Sequence, residues 1–225
     1  MPPDAEERPG AQHWVPAGAG IDQLRAAAPE CRGCELYRPA TQAVFSAGSP
    51  TARLALVGEQ TGDAEDRAGE PFVGPAGRLL DSALADAGID RADAYVTNAV
   101  KHFRFTPTAK RRLHQTPDLA HLVACRPWLT AELAVVDPEI VVCLGASAAR
   151  SLLGPSFRVT RQRGQLFPRQ PRPPADGDAA AVRGGWLMGT IHPSAVLRAP
   201  RGDAYDQAYA GLVADLRVAA DALVA

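Results

Sequence analysis

The sequence predicts a three-layer α/β/α fold around a central, mainly parallel four-stranded sheet, and three observations carry that prediction. Four apolar runs, at residues 54–57, 94–100, 140–144 and 186–191, read as buried strands bounded by turn-forming residues. Helical patterns at about 77–87, 117–136 and 146–153 separate them, and parallel neighbours require such crossovers. Each run ends in a polar or Gly-rich turn. Ligands in open α/β sheets bind beyond the carboxyl ends of strands, so the chemistry belongs at those turns.

Taken in order, residues 1–20 are rich in Pro, Gly, Ala and Glu without periodicity and read as a mobile tail before a single domain over 21–225. A short helix at 21–28 leads to Cys31-Arg32-Gly33-Cys34. The strand 54–57 runs into Gly58-Glu59-Gln60-Thr61-Gly62-Asp63, and a Pro/Gly-punctuated loop with Phe72 then opens the helix 77–87, for which Gly88 is the stop. Strand 94–100 contains Asn98 and is followed by Lys101-His102, then by a basic run, Lys110-Arg111-Arg112-Leu113-His114. Cys125 lies in the helix 117–136, and Cys143 lies within the third strand. Residues 168–178, dense in Pro, Arg and Asp, read as a surface loop. The last strand delivers His192-Pro193-Ser194, and a helix at about 204–223 closes the chain.

With 225 residues, 46% hydrophobic and 22% charged, the chain can bury a full core. A net charge of −1 does not advertise a nucleic-acid binder, although phosphate contacts depend on where cations sit and not on their total. No apolar run approaches the roughly 20 residues of a membrane helix, and the start is no signal peptide, so a soluble, cytoplasmic protein is expected. The Cys31/Cys34 spacing suits metal or redox chemistry in a reducing compartment. Two thiols are not a site: with Cys125 and His102 the set reads equally as a Cys₃His zinc centre or as iron–sulfur ligands, and His102 alone as an ordinary buried or solvated histidine. Cys143, mid-strand, reads as a small hydrophobe. Phe72 and Asn98 can be core packing and a turn amide, or a stacking ring and an edge-reading amide.

Together, Gly58-Glu59-Gln60-Thr61-Gly62-Asp63, Thr97-Asn98-Ala99-Val100-Lys101 and Gly189-Thr190-Ile191-His192-Pro193-Ser194 resemble the uracil-DNA glycosylase superfamily, in its iron–sulfur branch (family 4). The basic run 110–114 resembles the UdgX subgroup, whose members attach covalently to uracil-containing DNA. The resemblance implies a 4Fe-4S cluster on Cys31, Cys34, His102 and Cys125. Around the flipped base it implies Phe72 for stacking, Asn98 for the uracil edge and the Gln60 main chain. Gly58 and Gly62 keep the loop slim, and Asp63 and Ser194 complete the base-side wall. Glu59 and His192 are implied as catalytic groups, the first at the anomeric centre and the second on uracil O2. His114 is implied as the nucleophile that captures the oxocarbenium ion, with Arg112 holding the loop closed against a carboxylate. Thr61 departs from the family's frequent proline. The implied partner is uracil in single-stranded or locally opened DNA, bound by a monomer at the nucleoid. The rival expectations are a turnover glycosylase in which His114 only touches phosphate, and a non-catalytic iron–sulfur nucleic-acid-binding module.

Overall fold

In the computed structural model, residues 8–171 and 184–224 are described. The elements run α1 (Ile21–Ala27), β1 (Ser46–Ala47), β2 (Leu54–Gln60), α2 (Asp63–Ala68), α3 (Pro75–Asp86), β3 (Ala94–Val100), β4 (Phe105–Pro107), β5 (Arg112–His114), α4 (Leu119–Val136), β6 (Ile140–Leu144), α5 (Ala146–Leu153), α6 (Val159–Gln162), β7 (Leu166–Arg169), β8 (Gly185–Thr190), α7 (Pro193–Arg198) and α8 (Asp203–Val224). The main sheet has the order β1-β3-β2-β6-β8-β7. Its four inner strands are parallel and are the four expected ones, while β1 and β7 pair antiparallel at the two edges.

Period-two alternation in β2 divides the core. Ala55 and Val57 face a layer built from α1, α4 and α5, where Leu24, Trp128 and Ala149 are buried. Leu56, one position out of phase, faces the layer of α3, α7 and α8, with Leu80, Val196 and Leu216. Pro75 opens α3 and Gly88, at φ 78°, follows its end, so fixed φ and left-handed freedom stand where a helix start and stop need them.

Three expectations are corrected. The sheet has six strands rather than four, and the expected loop 168–178 begins inside β7 with Pro168 and Arg169; residues 172–178 lie outside the described residues. Within the expected tail, residues 8–11 are anchored to the domain: Gly10 N–H donates to Gly33 O at 3.0 Å, Ala11 is 1% exposed, and Arg8 reaches Glu35 at 2.8 Å and Asp118 at 3.0 Å. Helix α4 is, by length and composition, long and apolar enough to cross a membrane. Its Trp128, Leu129 and Leu133 are buried against the sheet, and its Glu132 is buried in an ion pair, which is the behaviour of a core helix.

Candidate active site

Strands β2 and β3 lie side by side with Gly58 opposite Asn98, and their carboxyl ends open into a cavity of about 670 Å³. Asn98 is 2% exposed, lines this cavity and has no hydrogen-bond partner for Oδ1. An unpaired buried amide oxygen is costly unless something else supplies a donor. A Cβ on Gly58 would stand 2.2 Å from that oxygen and 2.7 Å from Phe72 Cζ, so only glycine lets both side chains reach the wall. Phe72 itself holds φ 59°, an uncommon conformation for a bulky residue, in the turn between α2 and α3.

Opposite them, His192 caps α7. Its Nδ1 accepts the Ser194 N–H at 3.1 Å and lies 2.8 Å from Ser194 Oγ, which accepts in turn from Arg198 at 3.0 Å. Burial brings the His192 pKa down to about 4, so at neutral pH the ring is neutral and its proton sits on Nε2. The ring is stacked with Phe72 at 6.2 Å between centroids. Ser194, expected on the base, lines the cavity and also bonds the His192 ring.

Glu59 lies at the end of β2 and lines an adjoining cavity of about 470 Å³. Gln60, His114, His192, Ser194 and Arg198 border both cavities. Gln60 turns its side chain toward the β4–β5 hairpin: Oε1 accepts from Arg104 N at 2.9 Å, and Nε2 lies 2.8 Å from His114 Nε2 and 2.9 Å from Gln115 O. With Gln60 Oε1 fixed by a main-chain donor, its NH₂ faces His114 Nε2, which therefore keeps its lone pair on that nitrogen. His114 Nε2 is 4.0 Å from Glu59 Oε1, and its side chain is 48% exposed. Partial burial, with a smaller push from Arg198, outweighs Glu59 and lowers the His114 pKa.

Arg112 closes the hairpin onto α2. Its guanidinium pairs with Asp63, meets Asp66 at 2.6 Å and Thr41 Oγ1 at 3.1 Å, and lies 4.9 Å from the Phe105 ring centroid. Burial raises the Asp63 carboxyl, but hydrogen bonds from Arg67 and Arg112 prevail and hold it below the usual range. The expected carboxylate partner is thus a pair, Asp63 and the fully buried Asp66. Asp66 was missed, although two acids three apart at a helix start share one face. Glu65, also missed, accepts Gly74 N–H at 2.8 Å, and a Cβ on Gly62 would come within 2.4 Å of its Oε2. Arg198 is a third omission; a lone Arg in a C-terminal turn gives no signal in a sequence.

Cys31, Cys34 and Cys125 share one buried cluster with Trp128. Trp128 Nε1–H donates to Cys31 Sγ at 3.2 Å and Lys101 N–H to Cys125 Sγ at 3.4 Å. Burial raises the Cys34 thiol to about 11 and the Cys125 thiol to about 12, with a smaller push in the same direction from the neighbouring Cys31 sulfur. His102, 4% exposed, is lowered by burial to about 4 and stays neutral. Among the described residues no three Cys, His, Asp or Glu side chains stand close enough to hold one metal ion. Cys143, in β6, is buried in the same core, but burial is the only influence on its thiol and none of the other three sulfurs acts on it.

A parallel sheet that opens at its strand ends into a pocket walled by an aromatic ring, an unpaired amide and a neutral imidazole defines a ligand-binding α/β domain. The profile of the uracil DNA glycosylase superfamily matches residues 45–217. The type-4 uracil-DNA glycosylase of Thermotoga maritima is 33% identical over 170 residues, 75% of this chain and 79% of that protein. Those of Pyrobaculum aerophilum and Archaeoglobus fulgidus are 32% identical over 180 residues and 31% over 185, covering 80% of this chain and 86% and 85% of theirs. The chain belongs to the uracil DNA glycosylase superfamily.

Proposed function

We propose that this protein excises uracil from DNA and that His114 then captures the sugar. The observation that carries the reading is the unpaired Asn98 Oδ1 in the cavity wall, in a pocket also lined by Phe72 and His192. Uracil presents an N3–H donor beside its O4 acceptor, which an Asn amide can satisfy with both ends, whereas cytosine presents an acceptor to Oδ1 and is refused. The type-4 relatives support the same base and the same bond.

As the bond between uracil N1 and sugar C1′ breaks, the electron pair leaves with the base, and negative charge grows on O2 while positive charge grows on the sugar. His192 Nε2–H is a preorganised donor for O2, and because the ring is neutral it stabilises that charge without transferring its proton. The Glu59 carboxylate stabilises the cation. In the turnover reading, water then adds to C1′. In the trapping reading, the lone pair on His114 Nε2 forms the bond to C1′ and the ring gives up its Nδ1 proton to solvent, leaving a neutral glycosyl-imidazole. The lowered pKa keeps that lone pair available at neutral pH. What favours trapping is the position of His114 between the two cavities, 4.0 Å from Glu59 on a hairpin clamped by Arg112.

Cys31, Cys34, Cys125 and His102 suit an iron–sulfur cluster better than one zinc ion. A single ion needs its ligand atoms gathered on itself, whereas in a cluster each ligand takes its own iron and the ligand atoms stand apart. Burial favours the protonated thiols of Cys34 and Cys125, protons that iron would replace on binding. A cluster held there would supply structure, since cleaving the glycosidic bond needs no redox step.

Incubating the protein with a uracil-containing oligonucleotide tests both readings. Free uracil with a denaturant-stable shifted band supports trapping, and loss of that band with continued uracil release in His114→Gly assigns it. Uracil release without a band leaves turnover; no release at all overturns excision.

A further inference from the structure

The strand that carries Asn98 ends in a buried cation that excision does not use. Lys101 is 1% exposed, and its Nζ forms an ion pair with Glu132 of α4. The same ammonium donates to Thr97 Oγ1 at 2.6 Å and to the main-chain oxygen of Asn98 at 2.9 Å. Glu132, fully buried, also accepts from the Thr97 hydroxyl at 2.7 Å and the Tyr95 hydroxyl at 2.9 Å. Desolvating two charges is costly, and apolar side chains would fill this space without that cost, so stability alone is a weak reason for the pair.

The contact that no apolar residue can reproduce is the one to Asn98. Its side-chain Oδ1 has no protein partner, and the residue opposite on β2 is Gly58, which has no side chain to brace it. Orientation of the amide must therefore come from its own main chain. A recognition group is useful only when held to within about half an ångström of its productive position. We propose that Lys101 is a positioning residue, whose ammonium grips the Asn98 carbonyl and braces the base-reading end of β3 against α4.

The proposal rests on Asn98 reading uracil, and a double-mutant cycle separates the two claims. Lys101→Met, and the charge-balanced pair Lys101→Met with Glu132→Gln, are made in the wild-type and Asn98→Ala backgrounds, with folding followed by thermal melting. Single-turnover uracil release and the Kd for a uracil oligonucleotide are measured. In the wild-type background the paired variant should lose about tenfold in affinity or rate, and in Asn98→Ala less than about twofold, because the group it positions is gone. Equal losses in both backgrounds, or none in either, overturn the positioning role. Absence of uracil release by the wild-type protein would instead overturn the functional reading.

Discussion

At Gly58 the neighbours leave no room for a side chain, which makes the residue a test of the pocket. Gly58→Ala would push its methyl against Asn98 Oδ1 and Phe72, both of which can turn away into the cavity. We expect kcat/KM for uracil release to fall about a hundredfold while the melting temperature moves little, since the displaced groups face open space. His192 gives a pH test. Its folded pKa of about 4 lies below the ordinary 6.5, so below pH 6.5 the unfolded chain binds the proton more readily. This residue's contribution is fully present above pH 6.5 and is lost as pH falls from there toward 4. His192→Gln should make that part of the stability profile shallower, the remainder coming from the similarly lowered His102, as measured by urea unfolding at several pH values, and should slow uracil release at pH 7. Asn98 and His192 were legible as pocket-lining residues because polar groups near the carboxyl ends of buried strands have few structural uses, and Phe72 because it lies in a Pro/Gly-punctuated loop rather than in a periodic core element. The role of Ser194 was not, because a hydroxyl two residues from an imidazole serves equally to orient the ring or to touch a ligand.

Among the elements, the inner strands and long helices were legible because each repeats its pattern long enough to show a period. β1, with two residues, is too short for one, and Pro168 within β7 argued for a loop because a proline removes a ladder donor. The β4–β5 hairpin was seen only as a basic run. Its fold depends on contacts distant in sequence: Gln60 at one end and Asp63 with Asp66 at the other. Arg112→Ala removes the charged partner of the fully buried Asp66 and should cost about 3 kcal/mol in urea unfolding, at the low end for a broken buried pair because Thr41 N–H still donates to Asp66 and Asp63 is partly exposed. Amide exchange should rise first at residues 104–115. If the hairpin presents His114, the yield of covalent adduct should fall more than the rate of uracil release; an equal fall in both would show that the hairpin serves binding alone.

Over the whole molecule, the segment before the first helix is fastened to the cysteine loop, which a reading by composition missed because its contacts lie in Gly33, Glu35 and Asp118 rather than within itself. Three regions of chain thus meet at Cys31, Cys34 and Cys125, and Lys101 joins them to the sheet through its N–H. A bound cluster would therefore hold residues 8–40 to the domain, and removing it should loosen them together. We expect anaerobically purified protein to be brown, with about four irons and matching acid-labile sulfide per chain. Stoichiometric zinc without sulfide would rule the cluster out. Cys125→Ala should lose the colour and much of the melting temperature. Cys143→Ala removes a thiol of equal size and burial that has no metal to hold, and should cost only about 1–2 kcal/mol of packing, with the colour kept. If both variants lost the same stability and neither lost iron, Cys125 would be a core residue like Cys143, and the metal would have to be sought on other ligands.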